Sequence, residues 1–492
     1  MMDIEQFRKA GYEAIDRICD FYYRLEQKNV VADVEPGYLQ NLLPAQAPED
    51  GEDFKIIADE YQRLIVPGLT LWQHPSFFAY FPTACTFEGM LADLYASSAC
   101  NPGFNWICSP ACTELEVVVC DWAAKLLGLD KAFWNESKTG GGVIQTTASD
   151  SVLVATVAAR SRYIRANPDA DLSKLVIYVS SQTHSAGAKA ALILGLTNRI
   201  LDVTLDDNLA LRGSTLRAAL EEDMAAGKHP FILIATVGTT STGAIDKLPE
   251  IFEVANDFPS LWVHIDAAWA GLSLVCPENR ELCYLDRINK SATSFCTNFH
   301  KWGLTNFDCS VLWVRNRIDL TEALDITPTF LRSKHGDAGT VIDYRNWHLG
   351  LGRRFRSLKL WFVLRSYGVR GFQSYIRKGI NLNRKFASLV RSSSEIALVT
   401  QPSLALSVFH VNAPMDAQDS ISAQNSLTTA VYESLSARKD IQLTQTSVQG
   451  LTCIRFAVGA ARTEERHIEK AFAIILEETK SAIRVFKMKG AP

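Results

Sequence analysis

Four short segments carry the side chains with the most chemistry to offer. Lys301 stands in CTNFHKWGLTNFDCS, among apolar residues and beside His300 and Trp302. A lysine is ordinarily solvated surface, but these neighbours do not read as surface. In a desolvated site its ammonium gives up its proton more readily, and the free amine can form an imine with a carbonyl. Asn298 and His300 are polar groups able to reach a phosphate or a carboxylate. Asp266, in WVHIDAAWAG, follows an apolar run and precedes small residues. A carboxylate there can hold a pyridine-type nitrogen protonated, because its charge raises that nitrogen's pKa; a helix N-cap is the competing reading. GGGVIQTTASDS leads into VLVATVAAR, so Thr147, Ala148 and Ser149 fall where a helix should begin. Exposed N–H groups and the helix dipole make such a place an anion site. The G-x-x-x-x-G-K-[ST] spacing is missing, so a single phosphate fits better than a triphosphate; an ordinary glycine-rich turn with a Thr or Ser cap competes with both. His184, in YVSSQTHSAGAKAAL, either lies flat over a ring or is a satisfied loop histidine.

These residues need elements to hold them, and the middle of the chain supplies the pattern. Short β-rich runs at 175–180 (LVIYVS), 231–237 (FILIATV), 261–265 (LWVHI) and 311–314 (VLWV) alternate with helical stretches. The helical stretches are TELEVVVCDWAAKLLGL, SVLVATVAARSRYIRA, AGAKAALILGL and the segment from Leu248 to about Ala255. The alternation predicts an α/β domain with a mostly parallel sheet covered on both faces. In open sheets of this kind ligands bind beyond the carboxyl ends of the strands, which is where the four segments fall. Before this region, the first 85 or so residues read as helix-rich and apolar, with no strands and hence a need for a partner surface. After RRFRSLKLWFVLRSYG the pattern changes to a smaller α+β unit. It comprises the helix GFQSYIRKGINLNRKFASLVRSS, the short strands LALSVFHV and LTCIRFAV, and the terminal helix RTEERHIEKAFAIILEETKSAIRVF. The expected division is 1–85, 86–360 and 361–492.

The bulk properties exclude some classes. With 492 residues, 47% hydrophobic and 21% charged, the chain has the composition of an ordinary globular protein with a large core. A net charge of −4 offers no bulk attraction for nucleic acid or an anionic membrane. No apolar run reaches 18 residues, so no membrane span is expected. The N-terminus reads as an amphipathic helix rather than a signal peptide. Eleven cysteines, none in a C-x-x-C pair and none at zinc spacing, predict free thiols, no metal and a reducing, cytoplasmic setting.

Taken singly each segment is weak. Their order is glycine-rich turn, His, Asp, then Lys, which is the order in the large pyridoxal 5′-phosphate (PLP) fold built on an aminotransferase-like sheet (fold type I). The motifs PGYL, HPSFFAYFPT, SPACTELE, THSAG-x-KAAL, VGTTS, WVHIDAAWAG, NFHKWGLTNFDCS and DYRNWHLGLGRRFRSLKLW extend the likeness. From about residue 5 to about 480 the chain resembles the PLP-dependent aromatic L-amino acid decarboxylases (group II), a group with plant tryptophan and tyrosine decarboxylases and aromatic acetaldehyde synthases. The resemblance implies a homodimer acting on an aromatic L-amino acid. It implies that Lys301 carries the cofactor as an imine, Asp266 pairs with the pyridinium nitrogen and His184 stacks on the ring. Ala148 and Ser149 would bind phosphate, with Thr147, Thr240, Ala268, Asn298 and His300 close by. Trp72, Tyr80, Phe81, Pro82 and Thr83 would wall the substrate pocket. Phe104 would enter it from the other subunit, and the N-terminal helices would be the swapped dimer contact.

Departures from the family pattern bear on the product. Thr146 replaces a common glycine, Trp269 a usual tyrosine, and Pro102 an apolar residue. The largest is in TPTFLRSKHGDAGTVIDY, where ordinary decarboxylases carry tyrosine and this chain has Phe330. A tyrosine hydroxyl on a closing loop is a suitable acid for protonating Cα after CO₂ leaves; phenylalanine has the shape without the proton. Reaction with O₂ would then give an aromatic acetaldehyde, ammonia and hydrogen peroxide, as the acetaldehyde synthases with phenylalanine at this position imply. Two alternatives stand beside this reading. One is an ordinary decarboxylase releasing the arylalkylamine, its proton coming from His184, a second-subunit group or water. The other is a catalytically weak PLP-binding regulatory protein. In the family, the position of Gly352 resembles a size filter, with glycine leaving room for indole; a turn that needs glycine is the competing reading.

Overall fold

The computed structural model describes residues 2–415 and 420–488. A seven-stranded sheet forms its centre: β1 (Gly141–Gln145), β2 (Leu175–Ser180), β3 (Thr197–Leu201), β4 (His229–Thr236), β5 (Trp262–Asp266), β6 (Ser294–Asn298) and β7 (Ser310–Val314), in the order β1-β7-β6-β5-β4-β2-β3. Only β7 is reversed, pairing antiparallel with both β1 and β6, while β2 through β6 pair in parallel. Side chains of a strand alternate between faces, and here each face has its own core. Val176 and Tyr178 of β2 and Leu233 and Ala235 of β4 enter a core shared with helices Pro110–Leu127, Gly213–Ala225 and Leu248–Asp257. Leu175, Ile177, Val179, Ile232 and Ile234 enter the opposite one, against helices Ala148–Ala166 and Ala186–Leu194. Burial on both faces is why these strands read as continuous apolar runs.

Three strands beyond the four apolar runs complete the sheet. β3 (TNRIL) is an edge strand and β1 is a short glycine-led one. β6 (SFCTN) is polar yet wholly buried, because its polar groups bond sideways: Trp262 Nε1–H donates to Ser294 Oγ at 2.7 Å and Thr297 Oγ1–H to the Ala267 carbonyl at 2.8 Å.

The C-terminal unit is a four-stranded antiparallel sheet in the order β10-β11-β9-β8, from β8 (Ile396–Leu398), β9 (Leu406–Val411), β10 (Thr444–Val448) and β11 (Leu451–Ala457). Helices Ser420–Ala437 and Arg356–Arg391 pack against its strands, and helix Glu465–Met488 packs on those two helices. The helix expected from GFQSYIRKGINLNRKFASLVRSS starts earlier, as one segment, Arg356–Arg391, which runs through the 360/361 division and breaks helical geometry at Gly368 (φ 58°, ψ 177°). At the other end, helix Ile4–Tyr23 starts from a capping box, with Asp3 Oδ1 accepting the Gln6 N–H at 2.8 Å and the Gln6 side chain accepting the Asp3 N–H at 2.9 Å. None of its residues is buried, although Phe7 and Tyr12 lie on it. Among the described residues no helix is long and apolar enough to cross a membrane.

Candidate active site

The carboxyl ends of the parallel strands converge on a cavity of about 170 Å³. β5 ends in Asp266; β4 ends in Thr236, two residues before Gly238; β6 ends in Asn298, and the single turn Phe299–Trp302 that comes next carries His300 and Lys301. Thr147, Ala148, Ser149, His184, Thr240, Ala268 and Phe81 complete the lining, together with Trp269. Every residue expected to hold the cofactor therefore faces one cavity.

Local structure explains each placement. Thr147 caps helix Ala148–Ala166, its Oγ1 accepting the Asp150 N–H while Asp150 accepts the Thr147 N–H. This puts Ala148 and Ser149 in the first turn, where helix N–H groups lack intrahelical acceptors. The peptide after β4 turns at Gly238 (φ +85°), where a Cβ would overlap the Cβ of Ala270, so only glycine fits. The Lys301 turn is braced by the Ala84 N–H, which donates to the His300 carbonyl at 2.9 Å, and by the Cys309 N–H, which donates to His300 Nδ1 at 2.9 Å. His300 therefore presents its remaining proton on Nε2. Burial and the neighbouring Lys301 charge push it down to about 3, so it is neutral at ordinary pH.

Lys301 Nζ lies 5.5 Å from the centroid of the Phe81 ring. Desolvation pushes its ammonium below lysine's usual range, opposed by Asp266 and assisted by Arg455. Phe81 stacks on Trp269 (4.4 Å between centroids) and Trp269 on Trp302 (5.3 Å), making an aromatic wall. The Arg455 guanidinium sits 4.9 Å from the Phe81 ring and donates to the Tyr80 carbonyl at 3.1 Å, and its buried Nε has no partner among the described residues. Burial brings this guanidinium down to about 10.

The donor set fits PLP. An amine of lowered basicity suits an aldehyde, a strand-end carboxylate suits a pyridinium nitrogen, and a helix N-terminus with hydroxyls suits a phosphate. Two buried polar atoms of the lining, Thr236 Oγ1 and Asn298 Oδ1, have no partner among the described residues and would gain one from such a ligand.

The expected substrate-pocket residues divide. Phe81 lines the cavity; Pro82 is buried next to it in the chain, and Trp72 stacks on Tyr80 at 5.4 Å. Thr83 is partly buried. Phe104 lies outside, its carbonyl accepting the Arg345 N–H at 2.9 Å. Gly352 lines a separate cavity of about 470 Å³ with Asp93, Arg353 and Arg356. Its φ is not positive and a Cβ there would meet nothing within 4 Å, so the turn itself does not require glycine. Phe330, in the single turn Thr329–Leu331, is 81% exposed and outside the Lys301 cavity. Sequence reasoning missed Thr236, Gly238 and Arg455. The first two stand at the end of FILIATV and were open to the strand-end rule; an arginine inside the apolar run LTCIRFAV was the only signal for the third.

Residues 36–412 match the pyridoxal-dependent decarboxylase conserved domain. Over 98% of both chains the sequence is 42% identical to the aromatic-L-amino-acid decarboxylase of Bos taurus. It is also 42% identical to a phenylacetaldehyde synthase of Arabidopsis thaliana, covering 97% of this chain and 96% of that one. The structure superposes on that of Oryza sativa TDC with PLP and tryptamine at a TM-score of 0.94, with 36% identity over 98% of this chain and 99% of the other. With its cofactor-type cavity at the strand ends, the chain belongs to the family of PLP-dependent aromatic amino acid decarboxylases and their aldehyde-forming homologues.

Proposed function

We propose that this protein removes CO₂ from an aromatic L-amino acid and, consuming O₂, releases the aromatic acetaldehyde. The balance is amino acid + O₂ + H₂O giving aldehyde + CO₂ + NH₃ + H₂O₂. Bound PLP supplies the electron-accepting ring that makes loss of the carboxylate feasible. In this reading Lys301 holds the cofactor, Asp266 keeps a proton on its ring nitrogen and His184 covers the ring face. The helix N-terminus at Ala148 and Ser149, with Thr240, takes the phosphate. Phe81 and the Trp269 stack give the aromatic side chain an apolar wall and exclude water.

The observation that carries the aldehyde outcome is Phe330. A positioned acid typically contributes about 10²–10⁴ in rate; a benzyl group contributes none, so Cα stays unprotonated long enough to meet O₂. The amine-forming reading has one observation in its favour. The Ala186 N–H donates to His184 Nδ1 at 3.1 Å, which leaves Nε2–H as a donor at the cavity. Against it, desolvation holds the His184 imidazolium below the usual histidine range, so the group facing Cα at neutral pH is a weak acid.

The same reading makes the protein a homodimer. The uncovered apolar residues of Ile4–Tyr23 need a partner, and Phe104 and the Phe330 loop would complete a cavity across the subunit boundary. Eleven unpaired cysteines support a cytoplasmic, reducing location. The test is an assay of the purified protein with Trp, Phe, Tyr and Dopa, scoring CO₂, amine, aldehyde and peroxide together. Aldehyde and peroxide matching CO₂ for at least one substrate is the expected result. Amine as the sole product overturns the aldehyde outcome, and no CO₂ from any of the four overturns the activity.

A further inference from the structure

Behind the cavity, β5 and β6 place five side chains on one sheet face. His264 lies directly opposite Ser294 and Asp266 opposite Cys296, and Trp262 precedes His264 by two residues. Residues two apart on a strand share a face, so Trp262, His264 and Asp266 line up beside Ser294 and Cys296. All but Asp266 are essentially inaccessible to solvent. Trp262 Nε1–H lies 2.7 Å from Ser294 Oγ, Ser294 Oγ 2.7 Å from His264 Nδ1, His264 Nε2 3.5 Å from Cys296 Sγ, and Cys296 Sγ 4.0 Å from Asp266 Oδ1.

The direction of this chain is forced from its far end. An indole N–H can only donate, so Ser294 Oγ must accept from Trp262. A fully buried hydroxyl must also place its own proton, and the only acceptor at Ser294 among the described residues is His264 Nδ1. His264 Nδ1 is then bare. Burial pushes the imidazolium down to about 4, so the ring is neutral and its single proton sits on Nε2, facing Cys296. Burial likewise raises the Cys296 thiol, which stays S–H and faces Asp266. Every proton in the series points toward the carboxylate. Asp266 Oδ1 also accepts the Ala268 N–H at 3.0 Å, whereas no hydrogen bond to Oδ2 is found among the described residues.

We propose that Trp262, Ser294, His264 and Cys296 are positioning residues: a one-way hydrogen-bond chain that steadies the Asp266 carboxylate as an anion on Oδ1 and leaves Oδ2 for the ring nitrogen of PLP. The proposal rests on the assignment of Asp266 to that nitrogen. A donor to the carboxylate favours the state in which the shared proton stays on the ring rather than on Asp266. Packing alone would not require the protons to run one way.

The test uses the full-length chain labelled with ¹⁵N-histidine, the His264 signals being assigned by their loss in His264→Gln. The expected result, with and without PLP, is a neutral ring with Nε2 protonated and Nδ1 bare; an Nδ1–H ring or an imidazolium at neutral pH overturns the chain. A second measurement loads the chain with PLP carrying ¹⁵N in its ring. In Cys296→Ala the ring nitrogen should shift toward its unprotonated position, and PLP should bind roughly 3- to 10-fold more weakly, the scale of one ordinary hydrogen bond. Ser294→Ala should shift the nitrogen the same way by less. A ring nitrogen unmoved in either variant overturns the proposal. If the wild-type ring nitrogen is itself unprotonated, the Asp266 assignment fails instead, and the His264 measurement on the cofactor-free chain still reads the hydrogen-bond chain.

Discussion

Lys301 and Asp266 meet in one small cavity because two neighbouring parallel strands end side by side, and each residue has a distinct test. Lys301→Ala should abolish both the visible absorbance of bound PLP and all CO₂ release; full activity in that variant would remove Lys301 from the mechanism. Asp266→Asn keeps the shape but lacks the charge. Its kcat should fall by on the order of 10²–10³, the loss typical of removing one preorganised electrostatic partner, and activity equal to wild type would deny the carboxylate its role. Asp266 was legible because strand ends are readable: LWVHI is a continuous apolar run, and the residue just after such a run in an open sheet faces the ligand, whereas Lys301 was legible from its apolar neighbours in NFHKW. Arg455 was not legible, since its place beside Phe81 depends on β11 packing against a segment more than 370 positions earlier in the chain. Nor was the Cys296 link, because SFCTN carries too little apolar character to announce a strand.

At the scale of elements, a buried ion pair fastens the sheet to the helices around it. Arg353 donates to both oxygens of Glu116, at 2.8 and 2.5 Å, and to the Ile144 carbonyl at 3.0 Å, while Glu116 accepts the Ile144 N–H at 2.8 Å. Helix Pro110–Leu127, β1 and the segment entering helix Arg356–Arg391 thus share one knot directly upstream of the phosphate-side turn. Arg353→Ala would leave Glu116 buried without its cation, which costs about 3–5 kcal/mol. Urea unfolding should show that loss, and a change under about 1 kcal/mol would mean that the pair is solvated. The sequence displayed the helix and the RRFRS motif but not their connection, because the two residues lie 237 positions apart. The N-terminal helix gives the second test at this scale. Deleting residues 1–60 should yield an insoluble or inactive chain, and sedimentation showing a soluble, active monomer would contradict the dimer reading.

For the whole molecule, buried neutral histidines set the response to acid. His264 is pushed down to about 4, and His300 and His348 to about 3, chiefly by burial. A group whose folded pKa is depressed stabilises the fold above its unfolded pKa and loses that contribution as pH falls through the folded one. For histidine the window runs from about 6.5 down to 3–4. Asp246 works the other way, since burial lifts it to about 6 and favours the fold as pH drops. Three histidines outweigh one aspartate, so unfolding of the cofactor-free chain should become easier from pH 6.5 to 4.5. A flat or rising stability there would show that these histidines are not held neutral. The central claim concerns the product of the loaded enzyme. In air-saturated buffer the wild type should consume one O₂ and release one H₂O₂ for each CO₂. Each 1.4 kcal/mol or so of relative barrier shifts the competition between protonation and O₂ tenfold, so Phe330→Tyr should move the product toward amine. The direct measurement is simultaneous CO₂, O₂ and peroxide recording on the two proteins. Peroxide equal to CO₂ in the wild type and falling in Phe330→Tyr as amine rises is the predicted result; amine with no peroxide from the wild type would contradict it.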